Sequence, residues 1–190
     1  KRVAPLAQSL GSSLVLPCDV EDLASVDATF AALKEAWGTI DFVVHAIGFS
    51  DKNELKGLYA DATRENFSRT MVISCFSFTE IAKRAAMMMQ PGGTMLTLTY
   101  GGSTRVMPNY NVMGVAKAAL EASTRYAARD LGVKGIRVNA ISAGAMRTLS
   151  LAGIRGGKGL MSTGRDWSLL KEDTSMEGVA GCALYLLSPI

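Results

Sequence analysis

The chain has 190 residues, 48% of them hydrophobic, 19% charged and 7% aromatic, which is enough apolar material for one sizeable core and too much for a disordered chain. Its net charge of +3 is spread without a basic run, so nucleic-acid binding has no support, and no apolar stretch approaches the roughly 18 residues of a membrane span. Cys18, Cys75 and Cys182 are odd in number and widely separated, a pattern of neither a disulfide framework nor a zinc site. Reduced, mostly buried thiols are expected. The basic start Lys1-Arg2 has no signal-peptide core after it, and the chain reads as cytoplasmic.

In chain order, Val3 to Leu10 reads as a helix closed by Gly11, and Leu14 to Cys18 as a strand. A helix from Asp22 to Trp37, stopped by Gly38, leads to a strand from Asp41 to Ala46. Thr63 to Gln90 reads as one long helix stopped by Pro91. Along it Phe67, Met71, Ser74, Phe78, Ile81 and Ala85 recur three or four residues apart, one stripe for packing on a sheet. Other faces carry Ile73, Cys75, Phe76 and Met87, so a second neighbour is expected, and another subunit is the candidate.

Thr94 to Thr99 is the next strand, Asn111 to Leu131 a helix stopped by Gly132, and Ile136 to Ser142 a further strand. The stretch 149–171 is Gly-rich without regular period and reads as a mobile loop. Thr174-Ser-Met-Glu177 has the form of a capping box that opens a last helix. Strands alternating with helices predict an α/β fold, a doubly wound parallel sheet covered on both faces, with the site at the loops that follow the strands.

Tyr110 and Lys117 lie seven residues apart on the same predicted helix, so about two turns separate them on nearly one face. Tyr100 follows a strand, where the carboxyl end of a parallel sheet opens a ligand crevice. Three polar groups then converge on one pocket: a phenol that can donate a hydrogen bond, a cation, and a second phenol. His45 is the sole histidine and sits inside an apolar strand, which leaves no metal site and no Ser-His-Asp triad and makes it a core residue. The run from Ala152 to Gly159 looks like a phosphate loop, but Ala152 replaces its first Gly and Gly159 the hydroxyl residue that binds magnesium.

Four segments in order, Leu16-Pro-Cys-Asp19-Val20, Val43-Val44-His45-Ala46-Ile47-Gly48-Phe49, Tyr110-Asn-Val-Met-Gly-Val-Ala-Lys117 and Arg137-Val-Asn-Ala-Ile-Ser-Ala-Gly144-Ala-Met146-Arg-Thr148-Leu149, resemble the bacterial NADH-dependent enoyl-acyl-carrier-protein reductases of the FabI type. That family is a branch of the short-chain dehydrogenase/reductase superfamily. The resemblance implies a Rossmann-like domain over 1–190 that lacks the first two strands with their Gly-rich loop, and the last strand. The absent first strands would leave a gap between the segment ending at Asp19 and the strand ending at Ala46.

The implied reaction is reduction of a trans-2-enoyl thioester carried on acyl carrier protein. Tyr110 would hydrogen-bond the thioester oxygen, Lys117 would hold the nicotinamide ribose and make the tyrosine more acidic, and Tyr100 would assist or shape the acyl pocket. Asp19 and Val20 would meet the adenine; the alternative for Asp19 is a cap on the following helix. Ala46, Ile47 and Gly48 would meet the ribose and nicotinamide, and Gly144, Met146, Arg147, Thr148, Leu149 and Ser150 the carboxamide and pyrophosphate. Ser50 and Met113 would touch substrate. Arg155 and Lys158 match basic positions that could face the acidic carrier protein, or are solvated loop charges. The resemblance implies NADH, while the residues present leave NADH and NADPH open, and it implies a homotetramer. A carbonyl-reducing relative, of 3-oxoacyl reductase type, would carry Lys four residues after its Tyr, where this chain has Gly114. A non-catalytic scaffold is the remaining alternative, motivated by the missing phosphate loop.

Overall fold

The structure is a computed structural model describing residues 3–146, 148, 151 and 157–189, the last range without the side chains of 157, 158, 160 and 163. The chain divides into two compact units, residues 1–38 and 39–190. In the first, helix α1 (Val3–Ser9) is followed by an extended segment and helix α2 (Leu23–Trp37). Asp22 caps α2, its carboxylate accepting from the Ala24 N–H at 2.9 Å, and Gly38 ends it at φ 70° with its N–H on the Lys34 carbonyl. The strand expected at Leu14 to Cys18 does not form. Leu14 and Leu16 are half-buried and Val15 exposed, the alternation of an extended chain, but a strand exists only through a ladder with a neighbour, and none of the described residues supplies one.

The second unit is built on a three-stranded parallel sheet, β1 (Phe42–His45), β2 (Thr94–Thr99) and β3 (Arg137–Ser142), in the order β1-β2-β3. Phe42 pairs with Thr94 and Thr94 with Arg137, so the strands start level, and β2 and β3 run two residues past the end of β1. The β1–β2 connection carries helix α3 (Arg64–Met71), a π-helical turn (Val72–Phe76) and helix α4 (Ser77–Ala85). Helix α5 (Asn111–Gly132) joins β2 to β3, and α6 (Gly157–Trp167) and α7 (Met176–Leu187) follow.

Side chains on a strand alternate faces, and Thr94 and Thr99 differ in parity. Thr99 donates to Glu121 of α5 at 2.7 Å and Thr94 to the Leu186 carbonyl of α7 at 3.4 Å, so the two helices cover opposite faces. The doubly wound architecture is therefore as expected. Its core holds Phe78, Met95, Leu96, Val112, Leu120 and Ile136, all essentially inaccessible. No helix among the described residues is long and apolar enough to cross a membrane.

Several sequence expectations need correction. The long middle helix is interrupted, because the Ser77 N–H bonds Val72, five residues back, and the extra residue rotates the buried face. Phe67 and Met71 are consequently only half-buried, while Asn66, Thr70, Ser74 and Ser77 are buried. Within the stretch read as a loop, Gly157–Trp167 is helical. The cap of α7 is Ser175, which accepts from the Gly178 N–H at 2.9 Å, rather than Thr174. Only Cys75 is buried; Cys18 and Cys182 are exposed, on the extended segment and on the open face of α7.

Candidate active site

At the carboxyl end of β2 the chain passes Tyr100 into a short 3-10 turn, Gly101–Ser103, before it re-enters at Tyr110, the residue ahead of α5. Tyr110 stands between two asparagines in the left-handed region, Asn109 at φ 59° and Asn111 at φ 30°. Asparagine tolerates that backbone better than other side-chain-bearing residues, and strain of this kind gathers at functional sites. The Asn111 amide is held by donating to the carbonyls of Glu54 and Gly57, both at 3.3 Å. These constraints turn Tyr110 inward, where it is 7% exposed and meets the Tyr100 ring edge-to-face at 5.2 Å.

Two glycines make the seat of that ring. A Cβ on Gly102 would lie 2.5 Å from Tyr110 Cδ1, and a Cβ on Gly114 would lie 2.8 Å from the Gly102 carbonyl oxygen. Helix α5 and the turn thus touch backbone to backbone, which only glycine permits. Two turns along, the Lys117 ammonium donates to the Leu98 carbonyl at 2.8 Å, using one of its three donors.

Burial shapes the ionisation of all three groups. It pushes the Tyr110 phenol well above its ordinary range, with the neighbouring Tyr100 adding to the shift, and it raises Tyr100 as well. Loss of solvation lowers Lys117. The expectation that Lys117 makes Tyr110 more acidic is corrected: desolvation prevails, and Tyr110 stays a neutral hydrogen-bond donor.

Tyr100, Tyr110 and Lys117 line a cavity of about 740 Å³ at the carboxyl ends of the three strands. Ala46, Ile47, Gly48 and Ser50 enter it from the end of β1, Met113 from α5, and Gly144, Met146 and Thr148 from the end of β3. The Ser50 hydroxyl is turned toward α3, where it accepts from Thr70 at 2.9 Å. Arg147, Leu149, Ser150 and Arg155, and the side chain of Lys158, lie outside the described residues. Asp19 and Val20 belong to the first unit; Val20 is buried, and the exposed Asp19 closes a turn by accepting from the Glu21 N–H at 2.9 Å.

His45, just before the cavity, is 2% exposed with Nε2 at 2.8 Å from Ser77 Oγ and Nδ1 at 3.2 Å from Thr97 Oγ1. Desolvation, aided by the Lys117 charge, lowers its pKa to about 4, so it is a neutral core residue as expected. Sequence reasoning missed the apolar lining residues Phe49, Leu55 and Leu151, the Leu98 carbonyl that holds Lys117, and Gly102. For Gly102 a signal existed in the Gly-Gly pair that follows Tyr100.

A family model described as Enoyl-(Acyl carrier protein) reductase matches residues 1–190. The chain is 69% identical over 190 residues to "Enoyl-[acyl-carrier-protein] reductase [NADH] 2" of Rhizobium meliloti, spanning all of this chain and 71% of that protein. Among solved structures it is similar to FabI from Candidatus Liberibacter asiaticus, with 55% identity and a TM-score of 0.96 over 98% of this chain and 72% of that one. The enoyl-(acyl-carrier-protein) reductase of Anaplasma phagocytophilum, solved in complex with NAD, shares 53% identity with a TM-score of 0.92, covering 98% of this chain and 69% of its own.

Proposed function

The chain belongs to the enoyl-(acyl carrier protein) reductase family, and from that membership we propose how its residues divide the work of the reaction. It is an NADH-dependent oxidoreductase of fatty acid synthesis that reduces the double bond of an enoyl thioester on acyl carrier protein. The cavity suits both molecules: small residues at Ala46, Gly48 and Gly144 allow close backbone approach, and Phe49, Leu55 and Met113 offer an apolar surface to an acyl chain. When bound, NADH supplies a hydride to the β-carbon of the enoyl group.

Tyr110 donates a hydrogen bond to the thioester oxygen and stabilises the negative charge that develops there as the α-carbon awaits its proton. A phenol whose pKa is raised by burial suits this role, because it remains a donor throughout. Lys117 keeps two N–H donors beyond its bond to Leu98 for the ribose hydroxyls, and its charge favours the enolate oxygen. Tyr100 packs on the Tyr110 ring and closes the acyl side of the cavity. Ala46, Ile47, Gly48, Gly144, Met146, Arg147, Thr148, Leu149 and Ser150 contact the nicotinamide half, Asp19 and Val20 the adenine, and Met113 the substrate. Residues 149–171 close over the acyl chain.

We further propose that both units form one reductase domain, that the protein works in the cytoplasm, and that it assembles as a homotetramer. Exposed apolar residues on the π turn and α5, Val72, Phe76 and Tyr126, support contact with other subunits.

The observation that carries the reading is the convergence of a buried neutral Tyr110 with Lys117 on one cavity. The test follows the loss of reduced-nicotinamide absorbance with a trans-2-enoyl thioester and, separately, a 3-oxoacyl thioester. Turnover of the enoyl substrate alone is expected, falling by about 10²–10³ in Tyr110→Phe. Turnover of the oxoacyl substrate, or an unaffected Tyr110→Phe variant, would sink the assignment.

A further inference from the structure

The buried residues of α3 are polar where a sheet-packing helix is ordinarily apolar, and in the π turn Ser74 is buried beside Ile73 and Cys75. Asn66 is 6% exposed, and Thr70 and Ser74 are fully buried. Such groups are costly unless their hydrogen bonds are made, and here each is bonded to the chain that leaves β1. The Phe49 N–H donates to Ser74 Oγ, which donates back to the Phe49 carbonyl, both at 2.9 Å. Thr70 Oγ1 donates to Ser50 Oγ at 2.9 Å. Asn66 Oδ1 accepts from the Asp51 N–H at 2.9 Å, while its Nδ2 donates to Ser50 Oγ at 3.3 Å.

The spacing makes these contacts one device. Asn66, Thr70 and Ser74 are four residues apart along the helix, and they engage Asp51, Ser50 and Phe49, three consecutive residues taken in reverse order. Phe49, Ser50 and Asp51 all line the cavity. Among the described residues Phe49 and Asp51 pair in no strand ladder, and side chains satisfy their amides instead. Ser74 also lies within the π turn, a local irregularity that recurs at functional sites.

We infer that Asn66, Thr70 and Ser74 are positioning residues: a buried polar ladder that holds the Phe49–Asp51 wall, and with it the adjoining Ala46–Gly48 segment, at the distance NADH requires. This rests on the proposed cofactor site. None of the three lines the cavity; they act through the backbone they hold.

The test compares Ser74→Ala, Thr70→Val, which keeps the volume but loses the hydroxyl, and Thr70→Ser, which restores it. Three readouts are taken: the NADH dissociation constant, kcat at saturation, and amide exchange of Phe49 and Asp51 in the protein without cofactor. Ser74→Ala and Thr70→Val are expected to weaken NADH binding about tenfold and to speed exchange at Phe49 or Asp51, with kcat changed far less. Thr70→Ser is expected to behave as the parent does. A lowered melting temperature with unchanged NADH affinity would overturn the inference, as would exchange rates equal to the parent's. A parent protein that binds no NADH would instead overturn the proposed cofactor site, and the exchange rates, read without cofactor, would still decide whether the ladder holds the wall.

Discussion

On one side of the cavity, Tyr110 stands at the head of a helix that carries Lys117 and whose Val112, Ala116 and Leu120 are wholly buried, and the Tyr110 ring is wedged against Gly102. On the other side, Gly144 and Thr148 are exposed, and the bond from the Leu151 N–H to Thr148 Oγ1 lies at the surface. The groups proposed to meet developing charge are fixed by packing, as that role would require, since misplacement by an ångström costs orders of magnitude in rate. The exposure of Gly144 and Thr148 suits a side that admits and releases ligands.

Acid should strike the packed side hardest. Lowering of the His45 pKa from 6.5 to about 4 means that between those values the unfolded chain binds a proton that the folded chain refuses. Stability is therefore complete above pH 6.5 and falls as the pH drops through that window, by roughly 3 kcal/mol at its lower end. Urea unfolding at pH 7.5 and pH 5 would show it, and His45→Gln should flatten the difference. An equally steep loss in the variant would mean that acid acts elsewhere.

The same substitution made on each side gives the sharper contrast. Gly102→Ala drives a methyl into the Tyr110 ring, whose surroundings cannot yield, and kcat should fall about 100-fold with NADH binding nearly intact. Gly144→Ala directs its methyl at the hydroxyl of exposed Thr174, which can move away, so an effect of about threefold or less on the KM for NADH is expected. Adding Thr174→Ala should restore most of that loss. Equal effects from the two alanines would erase the distinction between the sides.

The sheet was legible because its three strands are short apolar runs bounded by turn residues, and helical spacing brought Tyr110 and Lys117 to one side, although Tyr110 stands just ahead of the helix and is turned inward by its asparagine neighbours. What escaped was set by non-local partners. Leu14 to Cys18 has strand composition, but pairing is decided by a neighbour. The π turn leaves no mark in the period, yet it moves Phe67 and Met71 off the buried face and Asn66 and Thr70 onto it. Gly157, Gly159 and Gly164 argue against a helix by propensity, and α6 forms regardless. The cap of α7 shifts by one residue to Ser175, with Thr174 lying against Gly144.

The contact between Gly114 and the Gly102 carbonyl also bears on how the superfamily's chemistries are separated. A carbonyl reductase carries its lysine four residues after the tyrosine, and in this chain that place is occupied by Gly114, where even a methyl group would stand 2.8 Å from a backbone oxygen. A lysine there would require the 101–103 turn to withdraw, and with it the seat of Tyr110. In this chain a change toward that arrangement would therefore have to begin in the turn, before any lysine could be placed.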